Sequence, residues 1–172
     1  AVKLLNQYFS RMHDVIEKHD GHILNYIGDS IMIVFGAPNE VDDHELKAVE
    51  CAVEMRKVLD ELNDEWDKVE FSRYWKNHGI DKVEARAGIH SGSVIAGNIG
   101  SDRMLQYSAI GDVVNVAARL EQSNKEFGTD ICFSHEIYIN LKKDLHDSAS
   151  LSGEIKLKGR SSPLKAVSYT HL

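Results

Sequence analysis

The stretch from Gln106 to Glu121 constrains the fold more tightly than any other part of the chain. It reads Gln106-Tyr107-Ser108-Ala109-Ile110-Gly111-Asp112-Val113-Val114-Asn115-Val116-Ala117-Ala118-Arg119-Leu120-Glu121. A short apolar strand runs into Gly111-Asp112, and Asp112 is a residue type suited to capping the helix that follows. In that helix Val113, Val116, Ala117 and Leu120 recur at one-turn spacing, which predicts a buried stripe. Asn115, Arg119 and Gln122 fall at i, i+4 and i+7, so an amide and a guanidinium project together from a second face. Most polar helix faces are simply solvated. The remainder of the chain decides whether this one is.

The chain has 172 residues, 42% of them hydrophobic, enough for one globular domain with its own core. No apolar run approaches the roughly 18 residues that a membrane span requires. The start of the chain has no basic region leading into an apolar one. Cys51 falls in a predicted helix and Cys132 in a predicted strand, without a pairing motif, so reduced core thiols and a cytoplasmic setting are the expectation. A net charge of -7 argues against nucleic acid or an anionic membrane surface as a partner, since affinity for either comes from many cationic contacts. The nine histidines form no helical metal pair, and His19 and His22 flank Asp20-Gly21, a helix stop.

In chain order, Ala1 to His19 reads as an amphipathic helix with Leu4, Leu5, Tyr8, Phe9, Met12, Val15 and Ile16 on one face. His22 to Ile27 and Ser30 to Phe35 then flank Gly28-Asp29, which predicts a tight hairpin with a type II′ turn and Asp29 at its tip. Asp42 to Asn63 reads as a long helix. Trp66, Phe71, Tyr74 and Trp75 follow in a less regular segment, where they either extend that helix over a sheet edge or offer a patch to a partner. Strands are expected at Val83 to His90, Ser93 to Ile99 and Met104 to Ile110, then at Thr129 to Phe133. Ser134 caps a predicted helix to Leu141, and Gly153 to Leu157 with Leu164 to Tyr169 forms a closing hairpin. There is no internal repeat. The alternation of helices and strands predicts a single α/β (α+β) domain over residues 1–172.

Four segments of this pattern resemble the class III nucleotidyl cyclases, the adenylate and guanylate cyclases. The stretch just described is similar to the strand and helix that carry their catalytic Asn and Arg. Tyr26-Ile27-Gly28-Asp29-Ser30-Ile31-Met32-Ile33-Val34-Phe35-Gly36-Ala37-Pro38 resembles their metal-binding hairpin. Ala87-Gly88-Ile89-His90-Ser91-Gly92-Ser93-Val94-Ile95-Ala96-Gly97-Asn98-Ile99-Gly100 resembles a central strand pair, and Leu157-Lys158-Gly159-Arg160 a phosphate-contacting tail. The four occur in the family's order and span the chain from Tyr26 to Arg160. The resemblance implies a ferredoxin-like core, with helices on one side of a mainly antiparallel sheet.

It also implies a reaction: conversion of ATP or GTP into a 3′,5′-cyclic nucleotide and pyrophosphate, by in-line attack of the ribose 3′ hydroxyl on the α-phosphorus. Two ions, Mg2+ or Mn2+, assist such a displacement. By resemblance Asp29 is one of the two metal carboxylates, Arg119 stabilises charge on the α-phosphate, and Asn115 holds the ribose. Arg160, with Lys158 close behind, meets the terminal phosphates. The family's other metal carboxylate belongs to a strand ahead of its first helix, and this sequence opens inside that helix. The expectation is therefore an N-terminally truncated domain that turns over no nucleotide by itself, an expectation that pyrophosphate release by the 172-residue chain would refute.

At the base-selecting positions the sequence departs from the family's pattern. Adenylate cyclases place Lys four residues before the hairpin Asp and guanylate cyclases place Glu there; this chain has Asn25. The second such position holds Ser108, where many adenylate cyclases carry Asp or Thr. Both side chains donate and accept, so either base is allowed. The family shares each site across a two-fold axis, which implies a homodimer with Val94, Ile95 and Ile99 near the seam. Two other readings compete: a cyclase-like pseudoenzyme that acts as a dimerising regulatory module, and a diguanylate cyclase. The second lacks its Gly-Gly-acidic turn here.

Overall fold

The computed structural model describes residues 1–169. An N-terminal helix α1 (Val2–Lys18) leads into the hairpin strands β1 (Gly21–Ile27) and β2 (Ser30–Phe35), followed by the long helix α2 (His44–Lys68) and the one-turn α3 (Arg73–Lys76). Strands β3 (Ala87–Ile89), β4 (Ile95–Ser101) and β5 (Met104–Ile110) precede helix α4 (Asp112–Phe127). After β6 (Ile131–Ser134) come the short helices α5 (His135–Tyr138) and α6 (Lys143–Asp147), and β7 (Ala149–Ile155) with β8 (Leu164–Tyr169) closes the chain's described part. This is an α+β fold. A four-stranded sheet in the order β3-β6-β8-β7 is accompanied by two separate hairpins, β1-β2 and β4-β5. Only the β3/β6 pairing is parallel among the described strands.

The sheet is covered on both faces, which corrects the expectation of helices on one side. Ile131 and Phe133 of β6 and Val167 of β8 pack with Val49, Ala52 and Val53 of α2. Cys132 of β6 and Leu164 and Ala166 of β8 pack instead with Val116 and Leu120 of α4. Successive strand side chains point to opposite faces, so α2 and α4 lie on opposite sides. The reason is in the residues: β6 is buried along its whole length, and a strand with buried side chains on both faces needs a layer on each.

A second core joins α1 to α2. Met12, Val15 and Ile16 meet Cys51, Leu59, Leu62 and Trp66, with Trp75 closing the cluster. Leu59, Leu62 and Trp66 continue the α2 stripe three and four residues apart, so the helix runs five residues past the expected end at Asn63. Trp66, Phe71 and Trp75 pack edge to face with centroids 5.5–6.3 Å apart, while Tyr74 faces solvent. Both cysteines are free and buried, as expected, and burial pushes their thiols up to about 12 for Cys51 and about 11 for Cys132.

Two expected strand features are revised. The strand expected from Val83 is confined to Ala87–Ile89, because the Asn63 amide takes both backbone groups of Val83, each at 2.9 Å. Nor do β3 and β4 form a central pair. β3 lies beside β6, and β4 pairs with β5 over seven residues from Ile95↔Ile110 to Ser101↔Met104. The β1-β2 hairpin follows its sequence: Gly28 has φ +63 and Asp29 does not have positive φ, the pattern of a type II′ turn.

Candidate active site

The α4 helix presents the two faces its spacing predicts. Val116 and Leu120 are buried against the sheet, while Asn115, Arg119 and Gln122 are exposed on the other side. Its attachment to the sheet rests on a residue that periodicity does not mark. Asn124 is fully buried, and its Nδ2 donates to the carbonyls of Ala87 (2.8 Å) and Glu121 (3.1 Å) while its Oδ1 accepts from Thr129 Oγ1 (2.8 Å). One amide thereby ties the end of α4 to β3. Such a side chain is buried only because nearly all of its hydrogen-bonding capacity is met.

Asp112 is not the cap of α4. Gly111 occupies that position and no side-chain cap bond forms. The Asp112 carboxylate instead accepts a 2.8 Å hydrogen bond from Arg160 Nη2, which brings the β7–β8 loop to the start of α4. Lys158 is exposed in the same loop, and Gly159 turns between the two with φ +84. Ser134 likewise makes no cap bond at α5; its hydroxyl lies 2.9 Å from His90 Nδ1. Burial holds His90 below the ordinary imidazole range; the Arg160 charge adds to that, and Glu136, Asp112 and Glu45 oppose it. Neither pairing was visible in sequence, because the partners are 48 and 44 residues apart.

Asp29 stands exposed at the tip of the β1-β2 hairpin, in the place its turn predicts. The hairpin lies beside α1, where the Phe9 and Tyr26 ring centroids stand 4.5 Å apart, and burial, then the Asp29 charge, raises the Tyr8 phenol above its usual range. Asn25 is exposed on β1 just past a register shift, and Ser108 is half-buried on β5 opposite Gly97. Their strands touch: Gln106 Nε2 donates to the Leu24 carbonyl at 3.2 Å, and the His22 and Tyr107 rings meet edge to face at 5.4 Å. The base-selecting candidates therefore lie at one strand contact, and Arg160 reaches the helix of Asn115 and Arg119. No hydrogen bond or ion pair among the described residues joins Asp29 to any of them.

Among the described residues no three His, Cys, Asp or Glu side chains are grouped to enclose an ion. A lone exposed carboxylate still suits Mg2+ or Mn2+ chemistry, because such ions are held by one or two carboxylates together with substrate phosphates and water. The β4-β5 hairpin carries a further feature. Ile95 and Met104 are 76% and 78% exposed, and Leu105, Ile110 and Ile99 are exposed with them. Val94, the third residue expected near a seam, is half-buried. No helix among the described residues is long and apolar enough to cross a membrane.

With that geometry in view, residues 1–170 match the Adenylate and Guanylate cyclase catalytic domain. The chain belongs to that family. It is 34% identical over 164 residues to adenylate cyclase 1 of Rhizobium meliloti (strain 1021), covering 95% of this chain and 23% of that protein. Among solved structures it is similar to the guanylyl cyclase Cya2, with a TM-score of 0.79 at 32% identity over 98% of this chain and 79% of that one. The adenylyl cyclase CyaB from P. aeruginosa gives a TM-score of 0.76 at 30% identity over 99% and 82%. The chain thus spans about a quarter of the length of its Rhizobium relative.

Proposed function

We propose that the intact signalling protein carrying this domain converts ATP or GTP into the 3′,5′-cyclic nucleotide and pyrophosphate, as a homodimer in the cytoplasm, and that the 172-residue chain alone does not turn over nucleotide. The observation that carries the reading is the exposed α4 face, where Asn115 and Arg119 stand clear of the core and Arg160 is bonded to Asp112 in the first turn of the same helix. Arg119 stays cationic at any working pH and can bond two oxygens of the α-phosphate as negative charge builds in the transition state. Asn115 orients the ribose so that its 3′ oxygen lies in line with the bond to the leaving pyrophosphate. Arg160 and Lys158 balance charge on the β- and γ-phosphates. Asn25 and Ser108 meet the base with groups that both donate and accept, which suits adenine and guanine alike. Asp29 would supply one carboxylate to the divalent ions, which when bound would acidify the 3′ hydroxyl and neutralise the leaving phosphates.

Each set of groups serves a different site. Asp29 lies on a hairpin tip beside α1 and Arg119 on α4, so a two-fold dimer that pairs one protomer's Asp29 with its partner's Asn115 and Arg119 accounts for both. The exposed apolar side chains of β4-β5 support such an association. The deciding assay measures cyclic AMP and cyclic GMP formed by the intact protein from ATP and from GTP with Mg2+ or Mn2+. Arg119→Ala is expected to lower kcat about 100-fold or more without unfolding the protein, because the side chain is exposed. A retained kcat removes Arg119 from the chemistry.

A further inference from the structure

The Asp112–Arg160 pair joins the first turn of α4 to a loop 48 residues away. Asp112 precedes Asn115 by three residues and Arg119 by seven, so all three share one side of the helix. Among the described residues, two further contacts hold the loop that carries Arg160. Leu157 packs partly against the α4 core cluster, and the Leu157 carbonyl accepts from the Arg160 amide at 3.2 Å. We infer that Asp112 is a positioning residue, which docks the β7–β8 loop on α4 so that the Arg160 guanidinium is presented to the nucleotide's terminal phosphates. This rests on the cyclase reading for its ligand, but not for the docking itself.

The form of the contact favours a docking role over one that withholds Arg160. A single Nη2 donor meets a single carboxylate oxygen, Oδ2. Arg has five N–H donors in a rigid fork, so most of them are left for phosphate oxygens while one anchors the side chain. Asp112 also occupies the first turn of a 16-residue helix, where a carboxylate is favoured by the helix dipole. Removing it leaves α4 itself in place, because Val116 and Leu120 hold that helix through burial.

Two readouts test this on the intact protein. The first is the rate of tryptic cleavage after Lys158 and Arg160, which does not depend on activity. Asp112→Asn is expected to speed cleavage there several-fold with an unchanged melting temperature, and Asp112→Glu, which keeps the charge, to stay near the parent rate. The second is kinetics with ATP and GTP. The pair is partly exposed and screened by solvent, so Asp112→Asn is expected to raise KM about three- to fivefold with little change in kcat. In an Arg160→Ala background the same change is expected to add nothing, because the two residues act through one contact. Unchanged cleavage in Asp112→Asn overturns the docking whatever the activity. A lowered KM overturns it too, since the carboxylate would then be competing with phosphate. If the parent protein makes no cyclic nucleotide, the cyclase reading fails, while the cleavage rates still decide whether Asp112 seats the loop.

Discussion

Gly88 of β3 lies directly under Ala117 of α4: a Cβ at position 88 would stand 2.2 Å from the Ala117 carbonyl oxygen and 2.2 Å from the Glu121 nitrogen. Both neighbours are helix backbone and cannot rotate aside. The close crossing sets the height of α4 above the sheet, and so fixes where Asn115 and Arg119 project.

Gly88→Ala is therefore expected to destabilise the protein by about 3 kcal/mol, at the upper end of ordinary overpacking, because the helix has to lift off the strand. Urea unfolding followed by circular dichroism checks this. A midpoint equal to that of the parent contradicts the close crossing.

Asn124→Ala removes the amide that ties α4 to β3 and leaves the Ala87 carbonyl without that donor. The expected cost is about 1–3 kcal/mol, as for other buried groups left unpaired. Hydrogen exchange should quicken in β3 and in the last turn of α4 before it does in α1. Uniform exchange across the domain would show that the amide has no such local role.

His90 gives the stability a pH dependence with a definite sign. Its folded pKa lies below the unfolded value of about 6.5, because burial disfavours the charged ring. Its neutral form is thus fully compatible with folding above about pH 6.5, and stability falls as pH drops from there through the lower folded value. His90→Gln is expected to flatten the decline in melting temperature between about pH 7 and pH 5. An equal or steeper decline in the variant contradicts the assignment.

The exposed β4-β5 side chains should mediate self-association. Replacing Ile95 and Met104 together by Asp puts charge where both are now largely exposed apolar groups, and is expected to shift sedimentation toward monomer and abolish cyclase activity. A variant that stays fully dimeric places the seam elsewhere.

Much of this was legible in the residues. Ser30–Phe35 and Met104–Ile110 are bounded by turn signals and appear with the expected ends, and the Val116/Leu120 stripe lies where its spacing puts it. What escaped depends on partners distant in sequence. Asp112 has the composition of a cap, yet its carboxylate goes to Arg160; Ser134 has the same composition, and its hydroxyl goes to His90. Val83 to Arg86 has the apolar–polar alternation of a strand, but the Asn63 side chain takes over the backbone bonds of Val83. The two-sided cover of the sheet left a trace in Ile131-Cys132-Phe133, an unbroken apolar run, which signals burial on both faces. Asn25 and Ser108, the residues proposed to meet the base, left the choice between adenine and guanine open because an amide and a hydroxyl each donate and accept.

The central claim is that Asp29 of one protomer and Arg119 of the other act on one nucleotide, and complementation tests it most directly. Asp29→Ala and Arg119→Ala, each inactive alone, are to be mixed under conditions that exchange subunits, and cyclic nucleotide formation measured. Half of the dimers are then mixed and each holds one intact site of two, so recovery of about a quarter of the parent activity is predicted. No recovery, with mixed dimers demonstrated by mass, would contradict the shared site.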